Sequence, residues 1–73
     1  MTADQRFLEY CVKRARDELG ESDIRVGQRD FDRGAYLIIG PDDSELLWID
    51  ENLVREGEQE EIVKRIVESW PER

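Results

Sequence analysis

The side chains that could carry chemistry in this chain are carboxylates and one thiol, because its 73 residues include no histidine. The commonest general acid–base and metal-ligand side chain is therefore missing, and neither a Ser-His-Asp nor a Cys-His site can form within the chain. The single cysteine, Cys11, falls on the apolar stripe of a predicted helix with no base beside it. This position favours an inert core thiol over a nucleophile. We therefore expect a non-catalytic protein.

Two groups of carboxylates have a spacing that could suit a metal ion. Asp30, Asp32 and Gly34 resemble the start of a calcium-binding loop, but the glycine comes one position too early. Pro41 stands where such a loop needs its closing bidentate glutamate. The second group, residues 42–45, could hold a divalent cation only weakly. A hairpin turn accounts better for the first group and a solvated turn for the second, so we predict no metal ligand and no cofactor.

The elements that must position these residues follow from hydrophobic periodicity and turn residues. We predict a helix over 3–19, strands over 24–31, 35–40 and 45–50, and a helix over 58–70. Thr2 is expected to cap the first helix and Pro71 to end the last. Hairpin connections then imply one α+β domain over 1–73, of order α-β-β-β-α. Its sheet is a three-stranded antiparallel meander, with both helices packed on one face.

The compartment is predicted from the cysteine count and from the N-terminal residues. One unpaired cysteine suits a reducing compartment. The first six residues are polar and contain no apolar segment of a signal peptide. No apolar stretch approaches the ~20 residues that cross a bilayer, so we expect a cytoplasmic protein that does not bind membranes.

The negative charge is concentrated in one part of the chain. The net charge of −8 arises within residues 42–61, where Arg55 alone opposes nine acidic side chains: Asp42, Asp43, Glu45, Asp50, Glu51, Glu56, Glu58, Glu60 and Glu61. Such a segment would repel nucleic-acid phosphates but attract a basic protein, including one that itself binds nucleic acid. The alternatives are an acidic face that only aids solubility and the acidic, arginine-rich composition of a salt-loving organism.

The second and third predicted strands are apolar at nearly every position, which is typical of strands buried on both faces. Two helices can cover only one side of the sheet. If Gly40 pairs with Glu45, the two faces carry two different sets of side chains: Tyr36, Ile38, Leu47 and Ile49 on one, and Leu37, Ile39, Leu46 and Trp48 on the other.

We expect the Trp48 face to be uncovered and bordered by Arg25 and Arg29, since Trp and Arg are enriched at binding hot spots. A one-residue ambiguity in the first hairpin would exchange the faces of the first strand. In the alternative arrangement, the connection 51–57 folds over the second face through Leu53 and Val54.

The leading functional hypothesis is a protein-binding module, namely a small acidic inhibitor or adaptor, one form of which imitates the charge of nucleic acid. Its predicted partner-binding residues are the nine acidic side chains of residues 42–61 together with Trp48, Leu37, Leu46, Arg25 and Arg29. The alternative is a homodimeric structural or regulatory domain that pairs through its sheet face. An enzyme or a metal-dependent domain ranks third.

Overall fold

The predicted α+β architecture is confirmed in a computed structural model, which describes residues 3–21 and 23–70. Thr2 and Pro71, with their predicted capping roles, lie outside these residues. A short helix follows the third strand, within the connection 51–57 where the sequence allows one helical turn around Leu53 and Val54. The elements are α1 (Ala3–Leu19), β1 (Arg25–Asp30), β2 (Ala35–Ile39), β3 (Glu45–Asp50), α2 (Glu51–Arg55) and α3 (Gln59–Ser69).

The helix ends are determined by local hydrogen bonds. Gly20 ends α1 with a φ of +69°, and the amide of Glu21 donates to the carbonyl of Arg16 at 3.1 Å. Glycine adopts this left-handed conformation without the steric penalty that a Cβ brings. The Asp50 carboxylate begins α2 by accepting a 2.7 Å hydrogen bond from the Asn52 amide. This N-cap turns the chain from β3 directly into a helix.

The sheet has the strand order β1-β2-β3, and both neighbouring pairs are antiparallel. α1 packs on α3 and β1, and α3 packs on β3 and α2. The side chains that join helices and sheet are almost fully excluded from solvent and include Leu8, Cys11, Val12, Tyr36, Ile38, Ile49, Ile62 and Ile66. Each large apolar side chain in such a core stabilises the fold by about 1.5–3 kcal/mol.

Two irregularities interrupt the pairing of the strands. In β1, Val26 pairs with Ile38 but Arg29 pairs with Tyr36, so β1 contains one extra residue between them. In β3, Leu47 pairs with Ile38 but Glu45 pairs with Ile39, which leaves Leu46 as an extra residue. A β-bulge of this kind changes the face on which the following side chains lie.

No helix within the described residues is both long and apolar enough to cross a membrane.

The one-sided core predicts that two neighbouring isoleucines differ in their effect on stability. Ile38 is fully buried under the helices, whereas Ile39 is half-buried on the other side of β2. We expect Ile38→Ala to lower the free energy of unfolding by about 2–5 kcal/mol and Ile39→Ala by less than about 2 kcal/mol. Urea unfolding measures both values.

The milder pair Ile38→Val and Ile39→Val serves as a control if Ile38→Ala does not fold. The same order is expected at a loss of about 0.5–1.5 kcal/mol for the buried site. Equal losses at the two positions would contradict the assignment of faces.

Candidate protein-binding surface

The side of the sheet away from the helices carries a small apolar surface. Leu37 and Trp48 pair across β2 and β3, and Ile39 lies two residues further along β2. All three are half-buried, whereas Tyr36, Ile38 and Ile49, which alternate with them, are at most 5% exposed. We call Leu37, Ile39 and Trp48 the open face. The prediction that the helices leave the Trp48 side of the sheet uncovered is therefore confirmed.

The alternative in which residues 51–57 cover this surface is wrong. Val54 of α2 is 3% exposed and belongs to the same buried cluster as Ile49 and the helices. Leu53 also packs against this cluster. α2 therefore extends the helical layer, and it does not close over the open face.

Leu46 was predicted to lie on the open face, and this placement is wrong. It is the extra residue of the β3 bulge, and its side chain packs against the buried cluster. It also fills the space beside Gly40, where an added Cβ would lie 2.8 Å from Leu46 Cγ. The predicted pairing of Gly40 with Glu45 is replaced by a 2.8 Å hydrogen bond from the Gly40 amide to the Ser44 carbonyl.

The two arginines expected to border the open face lie on opposite sides of the sheet, because the β1 bulge separates them. Arg25 pairs with Ile39 on the open side, as predicted, and its guanidinium forms an ion pair with Asp43. Arg29 pairs with Tyr36 on the helical side, but it also lines a shallow depression beside Leu37 and Trp48.

The Arg29 side chain contacts two aromatic rings and a carboxylate. Its guanidinium carbon lies 4.6 Å from the ring centroid of Phe31 and 5.7 Å from that of Tyr36, and it forms an ion pair with Glu51. Its Nε atom is buried without a hydrogen-bond partner. These contacts tie the end of the first hairpin to the start of α2.

Two residues of the β1–β2 turn lie beside the open face although the sequence does not predict them as partner-binding residues. The guanidinium carbon of Arg33 is 4.5 Å from the centroid of the Trp48 ring, the geometry of a cation–π contact. Phe31 is 79% exposed and lines a shallow depression together with Leu37 and Trp48. An aromatic residue within an otherwise polar turn was the signal that could have identified Phe31.

The depression is lined by apolar and acidic side chains. Phe31, Leu37 and Trp48 share this lining with three acidic residues, Asp30, Asp32 and Glu45, and with Gln28 and Arg29 of β1. Asp30 is used by the turn, since its carboxylate accepts hydrogen bonds from the amides of Asp32 and Arg33 at 2.9 and 3.2 Å. This is the hairpin-turn role expected for Asp30.

The acidic residues of segment 42–61 do not form one uniform patch. Four of them are ion-paired: Asp43 with Arg25, Glu51 with Arg29 and Arg55, Glu60 with Arg14, and Glu61 with Arg65. The hydrogen bond from Arg65 holds the pKa of Glu61 below its usual value. Asp50 caps α2. Within residues 3–21 and 23–70, the carboxylates of this segment with neither an ion pair nor this capping role are Asp42, Glu45, Glu56 and Glu58.

No three acidic or cysteine side chains among the described residues are arranged to hold a metal ion. Cys11 lies at 0% exposure within the core. Comparison with protein-family models, with curated proteins and with solved structures found no match to this chain.

Burial raises the pKa of the Cys11 thiol from 9.0 to about 11, which gives a pH-dependent stability. The unfolded chain loses this proton at a lower pH than the folded chain. The stabilisation from Cys11 is therefore complete below about pH 9 and is lost as the pH rises toward 11. Over this range we expect the free energy of unfolding to fall by roughly 1–3 kcal/mol more for the wild type than for Cys11→Ala.

Urea unfolding at several pH values measures how the free energy of unfolding of each protein changes with pH. The Cys11→Ala variant removes only the contribution of the thiol. Parallel slopes would show that the thiol does not contribute.

Proposed function

We propose that the protein is a non-catalytic protein-binding module that attaches to a basic protein through the open face and the carboxylates beside it. The observation that carries this proposal is the position of the helices on one side of the sheet, which leaves Leu37, Ile39 and Trp48 half-buried on the other. Apolar surface bordered by charged side chains is typical of protein interfaces. Tryptophan is also among the residues that contribute most to binding energy.

The charge of the chain supports a basic partner. The net charge is −8. Glu45, which makes no ion pair within the described residues, lines the depression beside the open face, and the unpaired Asp42 lies in the turn that precedes β3. Such a surface repels negatively charged molecules, whereas it attracts a basic protein before the two are in direct contact. At physiological salt this attraction extends about 8 Å, so it guides encounter more than it holds the complex.

An inhibitor or adaptor role follows from the same surface. A partner whose basic surface binds nucleic acid would meet carboxylates where it otherwise meets phosphates. Association would then depend on salt, because the charged contacts are exposed, while the contacts of the open face would depend on it less. These two components can be separated by substitution.

A homodimer that pairs through the open face is the second candidate, favoured by the apolar centre of that face. The charge opposes it, since two copies would bring together two surfaces of the same negative sign. A basic partner avoids this repulsion, which is why we place it first.

The proposal predicts which substitutions remove binding. Trp48→Ser and Leu37→Ser remove apolar contacts of the open face, and we expect each to reduce capture of a basic protein at least tenfold. Glu45→Lys is expected to weaken capture mainly at low salt. The measurement uses immobilised protein and lysate of the source organism, with bound proteins quantified by mass spectrometry.

Tyr10→Ser is the matched control, because Tyr10 is a 53% exposed aromatic residue on α1 and does not belong to the open face. It should capture the same protein as the wild type, and thermal melts must show all variants folded. Undiminished capture by Trp48→Ser would contradict the proposal. A stable dimer in light scattering across a dilution series would favour the second candidate.

A further inference from the structure

The ring of Trp48 already binds a cation from its own chain. Arg33 reaches over it from the β1–β2 turn, with its guanidinium carbon 4.5 Å from the ring centroid. The Arg33 side chain is nevertheless 59% exposed, and its one ion-pair contact among the described residues is from Nε to an Asp30 carboxylate oxygen at 3.3 Å. A cation–π contact at such an exposed position is weak. The ring is therefore a guanidinium site whose occupant is easily displaced.

The depression beside the ring complements a second guanidinium group. Phe31 and Leu37 supply apolar contacts. Arg29 also lines the depression, with its guanidinium over the Phe31 ring and paired with Glu51. Asp32 and Glu45 make no ion pair with any cation of the described residues. Arginine suits this combination, because its planar group stacks on aromatic rings and its five N–H donors match carboxylates. Lysine provides the charge without the planar stacking surface.

We propose that the depression between Phe31 and Trp48 receives one arginine side chain of the basic partner, which replaces Arg33 over the Trp48 ring. This inference rests on the proposed function and names the chemical group that the open face recognises. Arg33 acts as an internal competitor. Arg33 occupies the Trp48 ring for part of the time, and the site is open to a partner only for the rest. This competition lowers the apparent affinity of the protein for the partner.

The competition predicts that removal of Arg33 strengthens binding. A hexa-arginine peptide serves as the probe, and its binding is followed in isotope-labelled protein through the backbone amide resonances of Phe31 and Leu37, which every variant retains. We expect Arg33→Ala to bind the peptide about two- to fivefold more tightly than the wild type, because an exposed cation–π contact no longer competes. Trp48→Leu, which keeps an apolar side chain, should lose the arginine-specific part of the binding.

Charge alone is controlled in three ways. Arg65→Ala removes a half-exposed arginine from α3 with the same change in net charge, and it should bind the peptide within a factor of two of the wild type. Arg33→Lys keeps the charge but removes the planar group, and it should still bind more tightly than the wild type. Hexa-lysine should bind more weakly than hexa-arginine, and the neutral hexa-citrulline should not bind.

Equal affinities of Arg33→Ala and Arg65→Ala, or equal binding of hexa-lysine and hexa-arginine, would overturn the arginine site. If this happens while the Trp48→Ser variant still loses its captured protein, the proposed function stands and only the named group is wrong. Loss of both results would remove the function as well.

Discussion

The structure depends on a limit of coverage. The described residues form two helices of more than two turns, α1 and α3, and these can shield one side of a three-stranded sheet. The short α2 joins the same layer through Val54. The central strand β2 is apolar on both sides, so burial of Tyr36 and Ile38 leaves Leu37 and Ile39 on the side without a helix. Core and candidate binding surface are two consequences of one arrangement.

The chain partly covers the second side with its own polar side chains. Arg33 lies over Trp48, and the Arg25–Asp43 ion pair borders Ile39. Ile39 itself lies across Gly27, where an added Cβ would come within 2.7 Å of Ile39 Cδ1. Long charged side chains shield apolar surface while their heads stay in water, and they are displaced at small cost. This kind of cover is compatible with the proposed binding of a partner at the open face.

The acidic side chains of residues 42–61 do not all have the same role. Part of its charge stabilises the fold locally: Asp50 caps α2, and Glu51 joins Arg29 of β1 to the helical layer. Exposed pairs such as Arg65 with Glu61 contribute little to stability. The carboxylates that remain without a cation, including Asp42 and Glu45, are therefore a smaller set than the nine that sequence counting suggested. The binding hypothesis uses this smaller set.

The sequence by itself determined the element order, the buried stripe of each helix and the two sets of side chains on β2 and β3, because periodicity of 3.6 or 2 is a local property of the backbone. The expectation that the Trp48 face is the uncovered one rested on residue type and not on periodicity. Only the tertiary structure decided the positions of Arg29, Leu46 and Arg33. The first two depend on bulges, which arise from hydrogen bonds between separate strands, and a shift of one residue reverses the face of a side chain. The third depends on how the first turn bends toward Trp48, a contact between residues 15 positions apart in the chain.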